Sequence, residues 1–259
     1  MKEKDYYNNL GNWDFDSLNV KSEKLTNWNF YEEIRKNVNE RSLCLDLGTG
    51  GGEKVLKYYP KVGFLIATDF SKNMIKTAKL NLKKCEQSIG FDQNIRFIQM
   101  DNLKMNFPKG LFDLISARHT VIDAKKIYEC LKDNGILIIE GIDQKDCWEL
   151  KEVFGRGQAY KDSTSISEID YQNIKEAGFR KIERIEIYEN EYYESELELI
   201  DFLQLVPILD EVSENENENN NWNYSKTIET ELLEKYIRKN KTEKGILLKR
   251  VLYGIIAKK

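Results

Sequence analysis

At 259 residues the chain is long enough to bury a full core, and one large domain is the default expectation. With 32% charged and 41% hydrophobic residues the composition is that of an ordinary globular protein, and a net charge of -4 argues against a surface that grips nucleic acid through many phosphates, although a local basic patch is compatible with it. The polar start and the lack of a long apolar run predict neither signal peptide nor membrane span; four cysteines without metal or redox spacing (Cys44, Cys85, Cys130, Cys147) predict reduced thiols, no metal site and a cytoplasmic location.

Residues 1–40 carry Tyr6, Tyr7, Trp13, Phe15, Trp28, Phe30 and Tyr31, enough aromatic surface to cover one face of a sheet, and the pattern opens a helix over 27–38. An apolar run with an acid inside it, Ser42-Leu43-Cys44-Leu45-Asp46-Leu47, then breaks into Gly48-Thr49-Gly50-Gly51-Gly52. A helical pattern starts at Glu53 with Val55, Leu56 and Tyr59. This predicts a buried parallel strand, a tight turn and a helix N-terminus, with Cys44 an inert buried thiol. Glycines at such a turn let a ligand lie against the backbone, because no Cβ stands in the way. Spacing narrows the ligand. The third glycine of a dinucleotide fingerprint would fall on Glu53, and the Gly-Lys-Ser/Thr of a phosphate-binding loop is missing. An acid at the strand end beside the loop disfavours a pyrophosphate and suits a ligand carrying an ammonium group.

In this form, Asp46 followed by Gly48-Thr49-Gly50-Gly51-Gly52 resembles the first motif of the class I S-adenosylmethionine-dependent methyltransferases. The resemblance implies that Asp46, Gly48, Gly50 and Gly52 border the cofactor, and that the leading segment is a lid over it. The helix over 53–59 ends at Pro60, and a second strand over 63–68 ends on Asp69, followed by Phe70 and Ser71. An acid about 20 residues past the glycines can accept from both hydroxyls of a ribose, the role the resemblance gives Asp69. Ser71 is the better cap for the next helix, 73–85, which leaves Asp69 free. A third strand over 94–100 ends on Asp101-Asn102-Leu103. A lone Asp after a strand is more often a turn former; the resemblance makes Asp101 the acceptor for the adenine amino group, puts the backbone N–H of Asn102 on the ring, and lets Phe70 and Met100 sandwich the base.

Phe112-Asp113-Leu114-Ile115, in a fourth strand over 111–117, is also similar to the family, and it leads into Arg118-His119-Thr120. The Asn/Asp-Pro-Pro-Tyr/Phe motif of amino-methylating DNA enzymes is absent, which disfavours methylation of an exocyclic base amine by that route. His119, the chain's single histidine, is either a general base beside the transferable methyl or a hydrogen-bonded structural residue. Arg118 pairs with a carboxylate of cofactor or substrate, or is a surface residue at a helix start. A helix over 124–131, a turn at 132–135 and a fifth, apolar strand over 136–142 follow, with a Leu-Lys-x-x-Gly-x-Leu pattern that again resembles the family.

Strands alternating with helices at this rhythm predict a parallel, doubly wound sheet, in which ligands bind outside the carboxyl ends of the strands. Asp46, Asp69, Asp101 and the Arg118-His119 pair all fall at those ends. In the loop 153–160, Arg156 between two glycines is a candidate for an anionic substrate group, or part of a plain connection. A helix over 167–177 and a strand over 179–189 come next. An insert then precedes the last strand, 245–257: a helix over 194–205, a low-complexity run at 214–221 and a helix over 226–239.

The expectation is therefore an α/β fold: a doubly wound, mostly parallel seven-stranded sheet in a single domain spanning 1–259. Residues 1–40 are expected as a helical lid, 41–189 and 245–259 as the cofactor-binding core, and 190–244 as a helical cap. The resemblance implies S-adenosylmethionine as cofactor and methyl transfer to a small-molecule acceptor enclosed by lid and cap. One alternative is a ribosomal or transfer RNA methyltransferase using the basic segments 54–61 and 79–84. The other is a non-catalytic protein that keeps the fold as a cofactor-binding or scaffold module. The chain is also similar to uncharacterised bacterial members with Arg-His after the fourth strand and a Phe-Gly-Arg-Gly loop, a likeness that brings no substrate with it.

Overall fold

The computed structural model of the chain describes residues 20–88, 90–206, 208–209 and 228–259. The aromatics Tyr6, Tyr7, Trp13 and Phe15 and the low-complexity run 214–221 lie outside these residues.

Five parallel strands form the centre: β2 (Leu43–Leu47), β3 (Phe64–Asp69), β4 (Ile95–Gln99), β5 (Phe112–Arg118) and β6 (Leu131–Ile142). β2, β3 and β5 are mostly buried because helices cover both faces, as a parallel sheet requires. The long strand β9 (Gly245–Lys258) slots antiparallel between β6 and β7 (Arg180–Tyr193). The order is β1-β7-β9-β6-β5-β2-β3-β4, with β1 (Lys21–Lys24) on one edge and β8 (Lys241–Thr242) paired to β9.

The sheet has nine strands where the sequence predicts seven. The two additions, Lys-Ser-Glu-Lys and Lys-Thr, have no apolar alternation, so nothing local marks them. They exist because β7 and β9 offer unpaired backbone. The residues expected as a turn at 132–135 lie within β6, as an irregularity between the pairs Phe112↔Leu131 and Leu114↔Ile136.

Helices lie where periodicity places them, with one exception. α1 (Phe30–Asn37) is capped by Asn29, whose side chain accepts from Glu32 N. α2 (Glu53–Tyr58) starts on Gly52, and α3 (Lys72–Glu86) on Ser71, which accepts from Met74 N. α4 (Ala124–Cys130) follows β5. α5 (Trp148–Phe154) is the exception: it has no side-chain cap, its N-terminal residue Cys147 has φ 54, and the predicted loop at 153–160 begins inside it. α6 (Ile166–Glu176), α7 (Glu196–Leu205) and α8 (Thr230–Asn240) complete the chain.

Two cores result. The main one, including Leu45, Leu47, Phe112, Ile115, Ile127, Leu137 and Ile255, fills the sheet under α4 and α6. A second forms where β7 and β9 run on past the carboxyl end of β6: Tyr193 and Leu248 of these strands meet Cys147, Leu150, Phe154, Leu199, Phe202, Leu233 and Tyr236 at or in α5, α7 and α8. The insert is thus seated at the end of the sheet where ligands of doubly wound folds bind.

Candidate functional site

Asp46 occupies the carboxyl-terminal half of β2 and is 3% exposed. Register pairs it with Ser116 of β5, whose Oγ donates to Asp46 Oδ1 at 2.7 Å. Burial pushes its pKa up to about 7, against the opposing pull of that hydrogen bond. Cys44, in the same strand, is buried and its thiol is pushed up to about 12, so it is inert.

The loop after β2 turns through Gly48, Gly50 and Gly52, at φ 73, 58 and 78. The three glycines serve different purposes. A Cβ on Gly48 would lie 2.6 Å from Thr120 Cβ, and one on Gly52 would lie 2.8 Å from the ring of Phe97; these two admit neighbouring side chains. At Gly50 there is open space where a Cβ would stand. Of these three glycines, Gly50 has open space beside it, while Thr120 and Phe97 pack onto the other two.

Asp69 ends β3, is buried, and joins this loop. Its Oδ2 accepts from Gly50 N at 3.0 Å and its Oδ1 from Ser71 N at 2.8 Å. Burial raises its pKa, against these two backbone donors. A carboxylate has about four lone-pair sites, so two backbone donors leave capacity for ribose hydroxyls. Ser71 takes the cap role expected of it. Phe70 is half-buried, and its carbonyl accepts from Gln99 Nε2.

Asp101 accepts from Leu103 N at 3.1 Å and so caps a short 3-10 turn, Asn102–Lys104. Asn102 is buried; its Nδ2 donates to Thr120 Oγ1 at 3.0 Å, and its Oδ1 is buried with no hydrogen-bond partner. Thr120 therefore touches Gly48 on one side and Asn102 on the other. Together with the Gly50–Asp69 bond, this brings the loops after β2, β3, β4 and β5 into one contact set.

Arg118 is anchored through one of its nitrogens. Its Nε donates to Glu140 Oε1 at 2.7 Å, so a carboxylate of the neighbouring strand holds it. His119 has φ 51, a left-handed backbone that costs a non-glycine residue about 1–2 kcal/mol. The bond from His119 N to Glu140 O, 2.8 Å, holds it there. Its Nε2 lies 3.6 Å from Glu140 Oε1. About a third of the side chain (31%) remains open, but the protein crowded around the rest, with the Arg118 and Arg250 charges, drives its pKa well below the ordinary histidine value. The imidazole is neutral at physiological pH, the form a base requires.

Arg156 points toward Leu209 and Glu229. Its Nη1 donates to Leu209 O and its Nη2 to Glu229 Oε2 at 2.9 Å, so its guanidinium is used to fasten the insert and is not presented to an anionic substrate. No group of three or more metal-binding side chains occurs among the described residues.

The roles of three site residues escape sequence reasoning. Glu140 is a lone acid in the strand expected to be apolar, and that isolation is the one signal it gives. Thr120 gives none, because its role depends on long-range contacts; Trp28 is marked as one of the leading aromatics, but nothing local pairs it with Glu140. Glu140 Oε2 accepts from Trp28 Nε1 at 3.1 Å, and the indole lies against Gly254, where a Cβ would come within 2.6 Å of the ring.

A family model described as "Methyltransferase domain" matches residues 39–235, more than half of the chain. Among solved structures, a candidate methyltransferase from Bacillus halodurans C-125 is 16% identical, with 88% of this chain and 96% of that chain covered at a TM-score of 0.51. The YcgJ protein of Bacillus subtilis is 16% identical over 88% of this chain and 96% of that one, at a TM-score of 0.54. The cyclase SpnF is 12% identical over 88% and 79%, at 0.50. At these identities the likeness is one of fold. A comparison with curated proteins finds no match. The chain belongs to the methyltransferase-domain family, built on the class I fold that its glycine motif and strand rhythm predict.

Proposed function

We propose that this chain transfers a methyl group from S-adenosylmethionine to a small-molecule acceptor. The Gly50 corner carries the cofactor half of this reading: a left-handed glycine with open space at its Cβ position, its N–H held by Asp69. The buried, partnerless Oδ1 of Asn102 adds an acceptor suited to a donor on the cofactor. On this reading Asp46 faces the amino group, Asp69 holds the ribose, Asp101 and Asn102 hold the adenine, and Phe70 flanks it. When bound, the cofactor supplies an electrophilic methyl on a sulfonium. The protein's task is to set an acceptor about 3 Å from that methyl, in line with the leaving sulfur, and to keep water away. His119, neutral and at the end of β5, takes the acceptor's proton where one must be lost. The leading segment and the helical insert are assigned as lid and cap, with Arg156 bracing the cap.

Calorimetry with S-adenosylmethionine tests the cofactor, and absence of binding at millimolar concentration refutes it. Labelled cofactor incubated with fractionated extract tests the acceptor: label in small molecules supports the proposal. Label in RNA would move the assignment to the second reading, which one surface favours. Lys72, Lys76, Lys79 and Lys83 are exposed at spacings that share one face of α3. RNA binding that weakens steeply with salt is the signature of that reading. Cofactor bound without transfer to any fraction would indicate a binding module, a role compatible with a fold that the cyclase SpnF also has.

A further inference from the structure

Glu140 is 9% exposed and meets three groups from two parts of the chain. Its Oε2 accepts from Trp28 Nε1 of the leading segment at 3.1 Å. Its Oε1 accepts from Arg118 Nε at 2.7 Å and lies 3.6 Å from His119 Nε2. Its backbone carbonyl accepts from His119 N at 2.8 Å, holding that residue's left-handed conformation. The contact with the leading segment is built: Trp28 is buried with Phe30 and Ile34 against Leu114, Ile138 and Leu252, and only a glycine at 254 lets the indole reach the carboxylate.

We infer that Glu140 is a positioning residue that couples the leading segment to the reacting end of the sheet. With Trp28 docked, one carboxylate oxygen is held by the indole and the other is aimed at Arg118 and His119. With Trp28 withdrawn, the carboxylate is released and the pair loses its fixed geometry. Docking Trp28 on Glu140 and setting the Arg118–His119 pair are then one event. This rests on the proposed role of that pair in methyl transfer, but its test needs neither cofactor nor acceptor.

The chain has one histidine, so the imidazole Hε1 proton gives one NMR signal that reports His119 without assignment. The charged groups acting on it are Arg118 from β5, Glu140 from β6 and Arg250 from β9. The titration is run on the full-length, cofactor-free protein and two variants. Glu140→Gln keeps the side-chain shape but removes the negative charge, leaving the two arginines uncompensated; the midpoint is expected to fall by about one pH unit. Trp28→Phe keeps an aromatic ring on Gly254 but removes the N–H donor, so the carboxylate is no longer held toward His119; the midpoint is expected to fall by a smaller amount. A fall in both variants supports the coupling. Any other pattern overturns it, whether no change in either variant or a rise in Glu140→Gln toward the ordinary histidine value, the mark of mere loosening. Loss of cofactor binding in calorimetry would count against the proposed function and leave this result standing.

Discussion

Asp46 shows what burial does to a single side chain at this site. Its pKa in the fold, about 7, stands above the ordinary 3.8, so between those values the folded protein holds a proton that the unfolded chain has lost. The sign follows: this residue's contribution to stability is complete below pH 4 and falls away as pH rises to 7. Thermal unfolding is expected to show wild type losing stability across that window relative to Asp46→Asn, and parallel pH profiles would contradict it. If a cationic amine binds beside this residue, its affinity should rise over the same range, measurable by calorimetry with S-adenosylmethionine at pH 6 and 8. Asp69 is a different case, because its oxygens already hold Gly50 N and Ser71 N. Replacing it with Ala is expected to weaken cofactor binding by about 1–3 kcal/mol, the value of lost charge-assisted hydrogen bonds. An unchanged dissociation constant would remove it from the site.

Among the elements, the loop between β2 and α2 separates two meanings of glycine. Gly48 and Gly50 both have positive φ, so an alanine at either is strained by about 1 kcal/mol or somewhat more. At Gly48 the new Cβ would also stand 2.6 Å from Thr120 Cβ, whereas at Gly50 it would enter open space. Gly48→Ala is therefore expected to lower the urea midpoint more than Gly50→Ala, with partial recovery in a Gly48→Ala, Thr120→Gly double variant. Gly50→Ala should instead spoil cofactor affinity while the fold survives. Equal stability losses would show that the Thr120 contact carries no weight. The sequence marks the glycines but not which one is bare, since that depends on Phe97 of β4 and Thr120 beyond β5. Cap chemistry is local by contrast: Ser71 is legible because it bonds a backbone N–H three residues on.

For the whole molecule, a buried ion cluster ties β7, β9 and the loop after β6 together. Arg250 of β9 donates from Nε and Nη2 to Asp146 at 2.9 and 3.0 Å, and from Nη1 to Glu191 of β7 at 2.9 Å. Phe202 of α7 lies over its guanidinium, 5.2 Å from the ring centroid. Removing one partner leaves a buried charge uncompensated, so Asp146→Ala is expected to cost about 3–5 kcal/mol in urea unfolding. The exposed Lys249–Glu149 pair, cut by Glu149→Ala, should cost about 1 kcal/mol or less. Similar losses from the two would mean that burial gives the cluster no added weight. Among the described residues, no helix is long and apolar enough to cross a membrane.

What the sequence determined by itself is local in origin. Apolar runs of strand length, helical periodicity, caps, and acids at strand ends beside a glycine turn are set within a few residues of one another, and they specify the parallel core and the family. What needed the tertiary structure is every feature whose partner is far along the chain: the edge strands β1 and β8, which are polar and exist through pairing; Arg118 and Arg156, whose charges are met by Glu140 and by Glu229; and the Trp28–Glu140 contact across 112 positions. A side chain's type says which bonds it can make, but only the packed chain decides which group stands within 3 Å of it.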